Sequence, residues 1–345
     1  MPKKLSPDHL LALDNYAGLN ETFYAAEPAD YFSQRLHNLI LVAGNSAGLD
    51  RLLEEGVTFR GMTVGGGTPQ MADPADQANE RAKAAKSAEH FVIAEAEVLA
   101  QHAGETLLRL YLAHEARPLC PWLDVSRLHS PAAFKELVRR RFGDESDPSD
   151  PAHHAAVARV FHLTDDRASL SPVPPPQVEW DRSVANIEGY LRHFAQQFLN
   201  RAALYNAAKH GLALRPTEMS MKFDDGSVLS ADGPVIQYLQ VRDDDGQPRW
   251  SEVTHWVRSD MQMALVFRAC QLIETLWEVA RIRYLPGQQG ETFQLRLFSG
   301  ATVDELVRSG LGSEGSGIVL EDMSMDLLYY RPVTDTESDP AEKTL

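Results

Sequence analysis

"SVANIEGYLRHFAQQFLNRAALYNAAKH", residues 183–210, decides what kind of protein this is. Ile187, Tyr190, Leu191, Phe194, Phe198, Ala202 and Tyr205 recur along it at steps of three and four, the spacing that lays one apolar stripe along an α-helix. Gly211 follows the last periodic residue, where a left-handed C′ glycine commonly stops a helix. Lys209 and His210 would then sit in the last turn, beside the negative end of the helix dipole. The stretch therefore predicts one continuous amphipathic helix from about Ser183 to His210, with its stripe packed against other helices.

Two more patterns of this kind flank it. Phe91, Ala94, Val98, Leu107, Leu108, Tyr111 and Leu112 trace helical spacings between about Asp76 and His114. "RPLCPWLD" (117–124) ends that run, because prolines cannot continue a helix and restrict the residue before them. "SPAAFKELVRRRF" (130–142) restarts one, with Ser130 at the N-cap position and Pro131 at N1. The third long helix is expected from about Val257 to Tyr284, with Met261, Leu265, Cys270, Ile273, Leu276, Trp277 and Ala280 on its apolar side. Between the second and third helices the period changes. "MSMKFDDGSVLS" and "VIQYLQVRDDDGQPRWSEVT" alternate around Asp/Gly turns, which predicts β-hairpins. "TFQLRLF" (292–298) is a candidate last strand. The expected fold is mostly α: a helical bundle on three long helices, with a small antiparallel β-hairpin insertion between the second and third. "GDESDPSDP" (143–151) and "LSPVPPPQ" (170–177) are the boundary candidates. They suggest an N-terminal helical region 1–145, a helical unit with its hairpin at 177–300, and an acidic segment 301–345, with the first two free to pack as one domain.

Composition narrows the function classes. Hydrophobic content of 43% and charged content of 24% are globular values. No apolar run approaches the roughly 18–20 residues needed to cross a bilayer. The N-terminus develops no apolar core of a signal peptide, so a cytoplasmic protein is expected. Cys120 and Cys270 form neither a metal spacing nor a disulfide framework. The net charge of −16 argues against general coating of nucleic acid. Residues 301–345 hold ten acidic residues against three basic ones, a balance of −7, and that segment is the expected contact for a protein partner. By contrast Arg201–Arg215 has Arg201, Lys209 and Arg215 with no carboxylate, and "RRRF" at 139–142 is a second basic cluster. Local anion binding is compatible with the overall charge.

Familiar site motifs fail on inspection. "GMTVGGGT" has Gly67 where a P-loop needs Lys, and Gln70 stands where a dinucleotide fingerprint needs its third glycine. "DDDG" (243–246) would place Val241 at the first ligand position of an EF-hand, so it reads as a hairpin turn. His102, His114, His153, His154 and His162 occur without HExxH or paired Glu-x-x-His motifs; structural or solvated roles are expected, with no metal and no cofactor. No GxSxG is present.

The remaining candidate is "YNAAKHG", 205–211. On a wheel at about 100° per residue with Ile187 at the origin, Tyr205 falls in the centre of the stripe, Asn206 at about 100° and His210 at about 140°. Asn206 and His210 thus share one accessible flank, one turn apart, with Lys209 and Arg201 adding positive charge. This segment resembles the HEPN families, helical-bundle proteins that include many RNases of toxin–antitoxin and phage-defence systems. Their motif runs Arg, a polar residue, a few positions, then His near a helix end. Here Asn206 and His210 match, and Tyr205 stands where the arginine belongs. The resemblance covers this motif and the two long helices, about a third of the chain. It implies His210 as acid/base with Asn206 as its catalytic companion, Lys209, Arg201 and Arg109 as binding residues, RNA as ligand, metal-independent RNase chemistry or a degenerate version of it, and a homodimer across the 183–210 helix. Two other readings stay open: an interaction or scaffold protein without chemistry, and a helical-bundle enzyme for a small substrate.

Overall fold

The computed structural model describes residues 11–44, 57–59, 62–64, 74–170, 174–209, 214–222, 230–244, 247–287, 294–308 and 322–326. In chain order the helices are α1 (Leu13–Tyr24), α2 (Pro28–Gly44), α3 (Pro74–Glu115), α4 (Pro121–Arg127), α5 (Pro131–Phe142), α6 (Pro151–Phe161), α7 (Gln177–Asn200), α8 (Ala202–Lys209), α9 (Ser259–Tyr284) and α10 (Val303–Arg308). The strands are β1 (Val57–Phe59), β2 (Met62–Val64), β3 (Arg215–Lys222), β4 (Ser230–Asp244), β5 (Gln247–Trp256) and β6 (Asp322–Asp326). The protein is mostly helical with a small antiparallel sheet.

α3, at 42 residues, is the organising element. Its C-terminal half carries Ala96, Leu99, Ala100, Ala103, Leu107, Leu108 and Tyr111, all fully buried. α9, α7 and α2 pack on it. The small residues on this face let the neighbours approach closely. At Gly104 a Cβ would stand 2.6 Å from Phe194 Cδ1 and 3.0 Å from Cγ, so the α3–α7 crossing depends on glycine there. Ile187, Leu191 and Phe194 of α7 and Leu265, Ala269, Leu272, Ile273 and Leu276 of α9 complete one core, which also takes in Phe134 of α5 and Phe161 of α6. Proline sits at N1 or N2 of α4, α5 and α6; Asp150 also caps α6 by accepting from Ala152 N–H at 2.8 Å. Trp277 Nε1 donates to the Ala26 carbonyl at 2.7 Å, tying the α1–α2 turn to α9.

A second, smaller core joins helix to sheet. β3, β4, β5 and β6 form one antiparallel sheet in that order. Ile236 lies opposite His255, and Tyr238 opposite Val253. Because side chains alternate across a strand, Ile236, Tyr238, Val253 and Val257 face together against Ile93 of α3 and Leu204 and Ala207 of α8.

Several expectations need correction. The helix read over 183–210 is two helices: Arg201 has φ −109° and ψ 22°, outside α-helical values, and α8 restarts from its carbonyl. The break redirects Leu204 and Ala207 to the sheet instead of extending the α7 stripe. Phe91 is 52% exposed although Val92 and Ile93 beside it are buried, so it stands on the outward side of α3 and not on its core face. Residues 294–298 of "TFQLRLF" form no strand, and Asn186 Nδ2 bonds the Phe298 carbonyl at 2.8 Å. The added strand is β6, from beyond α9, paired with β5 from Ser251↔Asp326 to His255↔Asp322. The glycines of "GMTVGGGT", the turn "DDGS" and the extreme C-terminus lie outside the described residues.

Candidate functional site

Glu97, Gln101, Glu105 and Arg109 recur at four-residue steps on α3, and His102 and Thr106 form a second such row beside them. The side chains form two neighbouring polar groups.

The inner group is buried. Gln101 Nε2 donates to Glu97 Oε1 at 3.1 Å. The α7–α8 break brings Arg201 Nη1 to 3.9 Å from Glu97 Oε1, and β5 brings His255 Nε2 to 3.7 Å from Oε2. Glu97 and His255 are each 1% exposed. His255 reaches this position because it shares the inward face of β5 with Val253. Burial alone would raise the Glu97 pKa, but His255, Arg201 and Gln101 override it and hold the carboxyl below its usual range. On α7, Gln197 and His193 face each other at 2.8 Å between side-chain nitrogens. Burial lowers the His193 pKa to about 4, with Arg201 adding to the effect. This group is an ionised carboxylate set between α3, the α7–α8 break and β5.

The outer group is an open cleft between α3 and α8, about 430 Å³ in volume, lined by Val98, His102, Glu105, Thr106, Arg109 and Tyr205. Arg109 is fully engaged. Its Nε and Nη2 bond Glu105 Oε1 at 3.0 and 2.7 Å, its Nη1 bonds the Leu128 carbonyl, and its guanidinium lies 4.0 Å over the Phe134 ring. Burial and then the adjacent Glu105 push the Tyr205 pKa up to about 12, so the phenol stays protonated. Beside the cleft, His102 contacts the rings of Phe32 and Tyr31 at 5.1 and 5.8 Å, and Tyr31 is 53% exposed. Arg35 lies 5.4 Å over Tyr31 and pairs with Glu95. The cleft thus offers a phenol and an imidazole, with Tyr31 and Phe32 packed behind the imidazole, while its arginine, Arg109, is already neutralised by Glu105.

The sequence-derived candidates separate in this arrangement. Arg109 lines the cleft, and Arg201 belongs to the buried group. Asn206 is exposed on α8, Lys209 is the last residue of that helix, and His210 lies outside the described residues. Tyr205, expected in the centre of the core stripe, is half-buried in the cleft wall instead, because the break at Arg201 rotates it away from Ile187. Sequence reading missed Glu97, Gln101, His193 and His255. The polar i,i+4 series on α3 was a usable signal for the first two; His255 gave none, since a lone histidine in a strand names no partner. Cys120 and Cys270 are buried and unpaired as thiols. Among the described residues no cluster of three His, Cys, Asp or Glu side chains is arranged to hold a metal ion, and no helix is long and apolar enough to cross a membrane. Compared with protein-family models, with curated proteins and with solved structures, the chain matches none.

Proposed function

We propose that this chain is a HEPN-like helical protein that binds single-stranded RNA at the α3–α8 cleft without cutting it. The scaffold of this reading is a bundle on α3, α7 and α9, with the sheet as an insertion that props α8. The observation that carries it is the position of Tyr205: the residue standing where the HEPN motif has arginine forms a wall of an open cleft, beside His102 and one residue from exposed Asn206. Unpaired bases stack on aromatic side chains, and each stack is worth about 1–3 kcal/mol. A phenol held protonated cannot replace a guanidinium at a phosphate, which favours binding over cleavage. Because Arg35, Arg109 and Arg201 are each paired with a glutamate, few counterions are released and the salt dependence should be shallow. The setting is a cytoplasmic protein of stress or defence, active as a homodimer.

The test is fluorescence anisotropy with a labelled single-stranded RNA 12-mer at low salt. Wild type should bind, Tyr205→Ala should lose about tenfold (about 1.4 kcal/mol), and the RNA should stay intact. Equal binding by both proteins, or none by wild type, removes the reading. RNA cut by wild type and spared by His210→Ala replaces it with the nuclease version.

A second reading, a protein-interaction module, rests on a separate observation. Leu239, Val241 and Trp250 are all more than half exposed, and Val241 pairs with Trp250 across β4 and β5 on the same sheet face as Leu239.

A further inference from the structure

A larger cavity, about 620 Å³, lies at the other end of the α3 core, where Arg117 (φ 52°) turns the chain out of the helix. Its apolar wall is Leu112, Ala113 and Ala116 of α3, Pro118, Leu128, and Leu137 of α5; its polar side is Glu115, Asp124, Arg127, Arg140, Arg141 and His153. The charges do not cancel. Glu115 is taken by Arg141 Nε at 2.7 Å, and Asp124 by Arg127 Nη1 at 2.6 Å. Arg141 is itself held by Glu188 and by the Tyr111 hydroxyl, so it is a fixed part of the wall. Glu115, Asp124 and Glu188, which Arg192 also binds at 2.9 Å, therefore offset Arg127, Arg141 and Arg192, and Arg140 is left over. It is exposed at the cavity and makes no ion pair among the described residues. Arg140 also lies in the last turn of α5, where a cation complements the helix dipole. That role needs no cavity and does not account for the apolar wall facing it.

We propose that this cavity binds an amphiphilic anion: a small molecule with an apolar chain or ring and one anionic headgroup, the chain lying on Leu112, Leu128 and Leu137 and the headgroup at Arg140. The volume falls in the range of sites for small ligands, which combine a mostly apolar lining with a few placed polar groups. A carboxylate and a monoalkyl phosphate present the same chemistry to a guanidinium.

The experiment is isothermal titration of the full chain with hexanoate, octanoate and decanoate, with octyl phosphate and with decanol. Affinity should rise about fourfold per added methylene, the value of burying one CH₂ group. Octyl phosphate against octanoate separates the two headgroups. Arg140→Gln should weaken decanoate about tenfold, and Arg140→Lys should recover most of that loss by keeping the charge. Arg140 is a surface side chain, so both variants should melt like wild type, which thermal denaturation checks. No binding of decanoate at millimolar concentration, decanol binding as tightly as decanoate, or equal affinity in Arg140→Gln would each overturn the assignment.

Discussion

Replacing Glu97 by glutamine tests the buried junction at the α7–α8 break. The side chain is 1% exposed, with Arg201 at 3.9 Å and His255 at 3.7 Å. A unit charge at about 4 Å interacts by about 4 kcal/mol in an effective dielectric of about 20. The desolvation of the carboxylate offsets several kcal/mol of that. Removing one partner is a different quantity, since it leaves the other charge poorly solvated and costs about 3–5 kcal/mol. Arg201 keeps 14% of its side chain exposed and the pair is loose, so about 3 kcal/mol is the appropriate figure. With about 2.1 cal/mol/K of unfolding entropy per residue, a chain of 345 residues loses about 1.4 °C of Tm per kcal/mol, which makes the expected loss about 4 °C. The folded pKa of Glu97 is lowered, so its contribution is fully present above the ordinary carboxylate range and is lost as pH falls through the lower folded value. Circular-dichroism melting at pH 7.5 therefore reads the full effect. A drop under about 2 °C, or a gain, would show that the carboxylate is not what joins β5 and Arg201 to α3, and the account of the α7–α8 break would fall with it.

Gly104→Ala should destabilise despite the roughly 1 kcal/mol that alanine gains over glycine in a helix, because Phe194 stands 2.6 Å from the new Cβ and overpacking costs about 1–3 kcal/mol; adding Phe194→Leu should recover stability in chemical denaturation, and a Gly104→Ala protein more stable than wild type refutes the close crossing. His114, His162 and His193 all have pKa values lowered to about 4 by burial. Their stabilising effect is complete above the unfolded value near 6.5 and is lost progressively as pH falls toward 4, with a slope of about 1.4 kcal/mol per pH unit for each. Urea midpoints should fall from pH 6.5 to pH 5, and His162→Gln should flatten that slope; an unchanged slope in the variant counts against a buried neutral His162. Trp277→Phe should cost about 1 kcal/mol through the lost bond to the Ala26 carbonyl, read as a lower urea midpoint with an unchanged m-value.

What the sequence determined by itself was periodic and local. The stripes of α3, α7 and α9 are written in the spacing of residues three and four apart, so these helices were legible, with ends good to a few residues in α3 and α9 but not in α7, which stops at Asn200 and not at His210. The site was legible only as residue types. A wheel drawn through 187–210 assumes that the backbone stays helical, and Arg201 does not comply: its side chain goes to Glu97, 104 residues earlier in the chain, and its backbone bends so that Leu204 and Ala207 meet the sheet. That single turn took Tyr205 out of the core and put it in the cleft wall, and it made a buried clamp of Arg201 rather than a free cation. Likewise β6 pairs with β5 because an open sheet edge was there to receive it. Nothing in the β6 sequence names that partner. Spacing along a chain fixes which side chains share a face; only the packed structure decides what each face meets.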